Sequence, residues 1–253
     1  MINQTLDKLS GMKLRAMEME YRRQMELPAH TELTFDERLA MLVDAEWLAK
    51  TNNRLQRFLR EANLRDPAAT LEDINFAPNR NLEKATIARL ADCNWIKEGR
   101  NLIITGATGT GKTYLVSAFG NAACRKSLKV RSYRVNRLLT DLAIGRGDGS
   151  YNRLLAELKK PDLLILDDFG MASLDPGACR DLLEVVDDRN DRKSIAISAQ
   201  LPVAKWHDLF EDATIADAVL DRLVNNSYRL ELKGPSLRAS ISSLTGGGDI
   251  PTD

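Results

Sequence analysis

The residues that set the chemistry are Gly106, Gly111, Lys112 and Thr113, within NLIITGATGTGKTYLV from Asn101 to Val116. Their spacing is G-x-x-x-x-G-K-[ST], the pattern of a loop that closes backbone N–H groups around phosphate oxygens. Such closure needs positions without side chains, and Gly106, Gly109 and Gly111 supply them. Lys112 would reach the β- and γ-phosphates, and the Thr113 hydroxyl would ligate Mg²⁺. The candidate nucleotide-contacting stretch is therefore Gly106-Ala107-Thr108-Gly109-Thr110-Gly111-Lys112-Thr113, with Tyr114 directly after it. The pattern requires a strand before and a helix after. NLIIT is apolar and β-branched, and an apolar helical period follows the loop. That helix aims its N-terminal N–H groups and positive dipole end at the same phosphates.

A second candidate group lies in PDLLILDDFG. The apolar run Leu163 to Leu166 predicts a strand buried on both faces, as in a parallel sheet. Asp167 and Asp168 then fall at its C-terminal end, where open α/β sheets bind ligands. Asp167 is expected to hold Mg²⁺, directly or through water, and Asp168 to orient and polarise the attacking water. KSIAISAQLP is another apolar strand, ending in Ser198 and Gln200. If this strand lies between the loop strand and the Asp167 strand, Ser198 or Gln200 touches the γ-phosphate or the water; otherwise the pair caps a strand end. His207, beside Trp206, reads as a packing residue.

A sheet must hold these groups together. Strands are expected at 101–105, 128–135, 162–167, 194–199 and 227–232, with helices between them. This is an α/β P-loop NTPase of three layers, α/β/α. GRGDGS at 145–150 reads as a flexible loop. Residues 1–65 are predicted to be an all-helical N-terminal domain. Leu6, Leu9, Met17, Tyr21 and Met25 recur at helical spacing, and so do Phe35, Leu39, Leu42, Val43 and Trp47. Thr34 with Glu37 makes a capping box for the second run. Residues 66–82 hold two prolines and read as a linker, and the ATPase domain is expected over 83–239. The helical flank 83–97 is expected near the adenine. The Gly/Ser-rich tail, 240–253, is expected to be disordered.

The chain has 253 residues with Lys+Arg 36 against Asp+Glu 36, so overall charge does not point to nucleic acid. Its distribution is uneven. Lys50, Arg54, Arg57, Arg60 and Arg65 face Glu61 alone, and Arg54, Arg57 and Arg60 are three apart on one helix face. Arg125, Lys126, Lys129, Arg131, Arg134 and Arg137 form a second run without an acid. Each is either a contact to DNA phosphates or a solvated face, the second one paired with the acidic stretch 181–191. Cys93, Cys124 and Cys179 are scattered, which excludes a cysteine metal site or disulfide framework and fits a reducing cytosol. No signal peptide and no apolar run of the roughly 18 residues a membrane span needs is present, so a cytoplasmic protein without membrane contact is expected.

GATGTGKT, LLILDDFG, and SAQLPVAKWHDLF followed by DRL, with TFDERLAMLVDAEW upstream, resemble the IstB-like transposition helper ATPases. These are relatives of the DnaC helicase loaders in the AAA+ superfamily. The resemblance spans most of residues 30–240. Its nucleotide motifs are generic, whereas S-x-Q-L-P-V-x-K-W-H after LDDFG is far more family-specific. It implies an AAA+ fold with a five-stranded parallel sheet. It also implies a protein that binds ATP and assembles as a homo-oligomer, ring or helical filament, on double-stranded DNA. Such proteins hydrolyse ATP at subunit interfaces and recruit or stimulate a transposase. By position, Asp167 is the Mg²⁺ carboxylate and Asp168 the catalytic one. Ser198, with Gln200 as runner-up, falls at the sensor position. Arg222 falls at the arginine-finger position, serving a neighbouring subunit's γ-phosphate, and Arg238 at that of a second sensor. The chain departs from AAA+ habit in two places. Asp168 stands where glutamate is usual, a shorter side chain suited to slow, switch-like hydrolysis, and no helical lid is expected after the last strand. Two other functions compete: a replicative helicase loader built on the same engine, and a small-molecule P-loop kinase, for which no acceptor site is evident.

Overall fold

The apolar runs between residues 101 and 232 all become strands of one sheet in the computed structural model, which describes residues 2–26 and 32–237. They are β1 (Asn101–Gly106), β2 (Val130–Arg134), β3 (Leu163–Phe169), β4 (Ser194–Ala199) and β5 (Ser227–Leu232). The order is β2-β3-β4-β1-β5, and every neighbouring pair is parallel. β4 is buried along its whole length and β1 and β3 nearly so, which is why they read as continuous apolar runs rather than alternating ones. The order meets the condition set above: β4 lies between β1 and β3.

Helices α1 (Ile2–Gly11), α2 (Arg15–Glu26) and α3 (Phe35–Ala62) come first. Then follow α4 (Lys84–Ala91), α5 (Asn94–Lys97), α6 (Lys112–Arg125), α7 (Val135–Asp148), α8 (Tyr151–Lys159), α9 (Pro176–Asp187) and α10 (Ala213–Val224). On one face of the sheet, Ile103, Leu164, Leu166 and Ile197 pack with Leu138 of α7, Leu182 of α9 and Val219 of α10. α6 covers the other face. A Cβ added at its Gly120 would fall 2.9 Å from the Cδ1 of Ile165 in β3, so the glycine lets the helix approach without displacing that side chain. Phe119 of α6 meets Trp95 of α5 edge-on at 6.5 Å. The result is the expected three-layer α/β/α arrangement.

The start of α3 shows the reciprocal cap expected of Thr34 and Glu37. The Thr34 N–H donates to Glu37 Oε2 at 2.8 Å, and the Glu37 N–H donates to Thr34 Oγ1 at 3.3 Å. Other boundaries differ from expectation. The chain divides into the compact units Met1–Arg57 and Phe58–Asp253, so the division falls inside α3 rather than after Arg65. Residues 66–82 are packed: Ala69, Ile74 and Arg80 are all buried, and Pro78–Arg80 is a 3-10 turn. α7 runs through Gly145 to Asp148, where a flexible loop was expected. Trp206 is fully buried and tilts onto Phe169 at 4.6 Å, but His207 beside it is exposed and faces Asp217 at 3.4 Å. Among the described residues no helix is long and apolar enough to cross a membrane. Cys93, Cys124 and Cys179 are buried thiols, and burial pushes Cys93 up to about 11 and Cys124 to about 12.

One buried cation ties the layers together away from the loop. Arg189 is 1% exposed, and burial pushes its pKa down to about 10. Its Nη1 donates to Leu158 O at 2.6 Å, and its Nη2 donates to Pro161 O at 3.1 Å and Ser194 O at 2.8 Å. It thus joins the end of α8 to the starts of β3 and β4. Replacing Arg189 with Leu strands those carbonyls, and the expected loss in unfolding free energy is roughly 3 kcal/mol or more. Urea denaturation measures this, and a loss below about 1 kcal/mol would contradict the stapling role.

Candidate active site

β1 ends at Gly106 and α6 begins at Lys112, so the glycine-rich run is a tight strand-to-helix loop. Gly106 has φ 151°, and a Cβ there would lie 2.5 Å from the Leu232 carbonyl oxygen of β5. Gly111 caps α6 at φ 92°, a region that side chains avoid. The Thr110 hydroxyl donates across the loop to Ala107 O at 2.8 Å, and the Lys112 Nζ donates to the same oxygen at 2.8 Å. The Thr108 hydroxyl donates to Gln200 Oε1 at 3.0 Å, which ties the end of β4 to the loop. Tyr114 turns elsewhere: its hydroxyl donates to Thr70 O at 3.2 Å. What remains is a concave backbone at a helix N-terminus, a site built to receive an anion.

The strand order brings the two aspartates to this loop. Asp167 is 1% exposed, and the Thr113 hydroxyl donates to its Oδ1 and Oδ2 at 3.2 and 3.3 Å. Ser198 is fully buried; its hydroxyl donates to Asp167 Oδ1 and accepts the Asp168 N–H at 3.2 Å. The β3–β4 register breaks between Leu166 and Phe169, and Asp168 sits in the break at φ 60°. For a non-glycine residue that conformation costs on the order of 1 kcal/mol or more. It turns the Asp168 carboxylate out of the sheet, leaving it 30% exposed. The Thr113 hydroxyl and Asp167 carboxylate are adjacent hard-oxygen donors. They fit Mg²⁺, an ion that takes few protein ligands beside water and phosphate oxygens.

The arginines divide by location. Arg65, which the charge pattern groups with a surface patch, instead donates from Nη1 to Asp167 Oδ2 at 2.9 Å and Asp168 Oδ2 at 2.5 Å. The hydrogen bond to Asp167 is the main cause that raises its pKa. Arg134 pairs in register with Asp167, and Arg134 and Arg137 line a cleft of about 780 Å³ together with Arg65, Asp167 and Asp168. Arg54, Arg57 and Arg60 are exposed on α3. The second basic run does not meet the stretch 181–191 in the ion pairs seen. Arg125 pairs with Glu72 at 2.8 Å, while Asp187 of that stretch pairs with Arg222 and Asp188 with Lys159.

Arg222 is not brought to its own loop. Its Nε donates to Asp187 Oδ1 at 2.8 Å, and its carbonyl accepts from Asn101 Nδ2 at 3.0 Å. Asn101 opens β1, and Gly106 lies about 17 Å further along the strand. Arg238 and the tail 240–253 lie outside the described residues. α4 sits away from the loop as well. It lines an apolar cavity of about 670 Å³ with Ala118 and Asn121, on the far half of α6.

Arg80 carried no signal in the sequence. It is buried under the loop, with Nη2 donating to Thr110 O at 2.6 Å and Nη1 to Asn75 O at 2.9 Å, and desolvation lowers its pKa. After β5 the chain returns over the loop as well, where the Leu237 N–H donates to Gly109 O at 2.9 Å. Gln200 and Arg80 thus brace the loop from two sides, and Ser198 orients Asp167 from below. Ser198→Ala should reduce turnover by roughly 10- to 100-fold while nucleotide affinity stays within a few-fold, the usual size of a lost positioning contact. Steady-state hydrolysis and fluorescent-nucleotide binding measure the two, and unchanged turnover would contradict the role.

Known proteins agree with this geometry. The family profile of the IstB-like ATP binding proteins matches residues 7–245. An insertion sequence ATP-binding protein of Sinorhizobium fredii, y4pL, is 42% identical over 234 residues, covering 92% of this chain and 95% of the relative. The IS1162 ATP-binding protein of Pseudomonas fluorescens is 43% identical over 202 residues, covering 80% and 87%. Among solved structures, the DnaC helicase loader superposes with a TM-score of 0.56 at 20% identity, over 65% of this chain and 97% of that one. AMPPCP-bound DnaA from Aquifex aeolicus superposes with a TM-score of 0.55 at 21% identity, over 71% of this chain and 55% of that one. Those two likenesses speak to the fold. The chain belongs to the IstB-like ATP-binding family and is a P-loop ATPase of AAA+ architecture.

Proposed function

We propose that this ATPase is a transposition helper that assembles with copies of itself on duplex DNA and recruits a transposase. The observation that carries this reading is the convergence of Thr113, Asp167 and Asp168 at the phosphate loop while Arg222 is held at the opposite end of β1. The chain's curated relatives are insertion sequence ATP-binding proteins, which supports a transposase as the client.

In this reading Gly106 to Thr113, with Lys112, bind the ATP polyphosphate. Thr113 and Asp167 would hold Mg²⁺, which supplies charge neutralisation to the β- and γ-phosphates. Asp168, whose carboxylate is 30% exposed, orients the attacking water. Gln200 lies on the loop side of β4 and touches the phosphate end. Arg222 of one copy completes the site of the next, adding positive charge as negative charge spreads over the transferring phosphoryl group. Arg54, Arg57 and Arg60 on α3, with Arg134 and Arg137 at the cleft, meet DNA phosphates. The helical residues 1–65 serve DNA or the client protein, and hydrolysis resets the assembly.

Arg222→Ala should keep ATP binding and lose turnover by about 10³-fold or more. Mixing it with Lys112→Ala, which retains Arg222 but cannot bind ATP, should restore part of the activity, because each copy supplies what the other lacks. Normal turnover by Arg222→Ala alone would mean that the site is complete within one chain. For DNA, replacing Arg54, Arg57 and Arg60 together with Ala should flatten the log affinity against log salt slope by about 3, one unit for each phosphate contact. ATP-dependent DNA binding with an unchanged slope would remove α3 from the interface.

A further inference from the structure

Arg65 meets both aspartates beside the phosphate loop, yet its position owes little to them. Asn63, at φ 50°, turns the chain after the end of α3. Leu64 then packs on α6 at Gly120, where an added Cβ would lie 2.7 Å from its Cδ2. The Asp66 N–H donates to Ser117 Oγ of α6 at 3.4 Å. The backbone on both sides of Arg65 is thus anchored to the helix whose N-terminus faces the phosphate site. The side chain is 32% exposed and lines the cleft beside Asp167 and Asp168. A single nitrogen, Nη1, serves both carboxylates, at 2.9 and 2.5 Å. Thr113, at the inner end of the loop, bonds the same Asp167 Oδ2 at 3.3 Å. One carboxylate oxygen therefore separates the guanidinium from the Thr113 hydroxyl, the group expected to hold Mg²⁺.

We propose that Arg65 is a γ-phosphate ligand supplied by the chain's own polypeptide, and that it exchanges partners with nucleotide state. Without nucleotide, the guanidinium neutralises two adjacent carboxylates that would otherwise repel each other. When a triphosphate fills the loop, the guanidinium moves onto a terminal phosphate oxygen, a partner its planar fork suits at least as well. The move uncovers Asp168 for water. A diphosphate ends one phosphate short of Arg65, which therefore remains on Asp167 and Asp168. The residue therefore distinguishes ATP from ADP, and it does so independently of Arg222. This inference rests on the loop and aspartates being the ATP site.

Equilibrium binding of a non-hydrolysable fluorescent ATP analogue and of fluorescent ADP, both with Mg²⁺, tests it in the full chain. The wild type should prefer the triphosphate. Arg65→Ala should lose that preference by about tenfold or more, the size of a lost charge-assisted hydrogen bond, with ADP affinity held within about threefold. Arg65→Lys, which keeps the charge without the fork, should recover part of the preference, and this conservative variant guards against a folding defect in the first. An unchanged preference in Arg65→Ala would overturn the proposal alone, since the loop would still bind. Tighter binding of both nucleotides by Arg65→Ala would also overturn it, leaving Arg65 only a cover for the aspartates. Failure of the wild type to bind either nucleotide would overturn the ATP-site reading and this inference with it.

Discussion

A carboxylate held out of water at the end of a buried strand governs this molecule's active end. Asp167 is 1% exposed, and an ionised group so placed needs charge and hydrogen-bond partners or it costs several kcal/mol. Its partners come from separate elements: the Thr113 hydroxyl at the start of α6, the Ser198 hydroxyl near the end of β4, and the Arg65 guanidinium after α3. The two hydroxyls are correctly placed only because the sheet order is β2-β3-β4-β1-β5. With β4 elsewhere, Ser198 could not lie beside Asp167, and β1 would not deliver Thr113 from its far side. The order of strands is therefore also a statement about where a negative charge can be tolerated.

The same end of the sheet holds strain as well as charge. Asp168 is left-handed within a broken β3–β4 register, and its amide is satisfied by Ser198 rather than by a ladder partner. A glycine would relieve the backbone but would remove the carboxylate. Aspartate is among the few residues that tolerate this conformation, so the choice keeps an acid at the position with modest strain. Ser198 therefore has two tasks, orienting one aspartate and satisfying the displaced backbone of the next.

The sequence was most legible where the determinants are local. The loop needs glycines at fixed spacing, and β3 needs an unbroken apolar run before Asp167; both can be seen in a dozen residues. The five strands followed from the same logic, but the place of β4 stayed open until the sheet order put it between β1 and β3. Arg65 and Arg80 were not legible. Arg65 meets Asp167 across a separation of 102 residues, and Arg80 meets Thr110 across 30. Charge counting along the chain grouped Arg65 with its sequence neighbours because nothing local says which way a side chain turns after a helix ends. Residues 66–82 read as a linker because proline and polar residues hide the few buried ones, Ala69, Ile74 and Arg80, that hold the segment down. The run through Gly145 read as a loop because two glycines and an aspartate weaken a helix locally, but packing of α7 on α9 and β3 outweighs about 1 kcal/mol of propensity for each glycine.

Zero net charge then becomes informative. A chain with equal numbers of acids and bases can bind a polyanion only where its bases escape internal pairing. Many do not: Arg65 is on Asp167 and Asp168, Arg125 on Glu72, Arg146 on Asp181, Arg222 on Asp187 and Lys193 on Asp162. Arg54, Arg60, Arg134 and Arg137 show no ion pair among the described residues and are exposed. Two of these four line the cleft that contains Asp167 and Asp168. A phosphate backbone drawn to Arg134 and Arg137 would alter the field at Asp167 and Asp168 directly, without any moving part between them. Arg222 differs, since Asp187 already holds its guanidinium at 2.8 Å. A polyanion at Arg134 and Arg137 would therefore break no ion pair seen at those two residues, whereas freeing Arg222 would break its bond to Asp187.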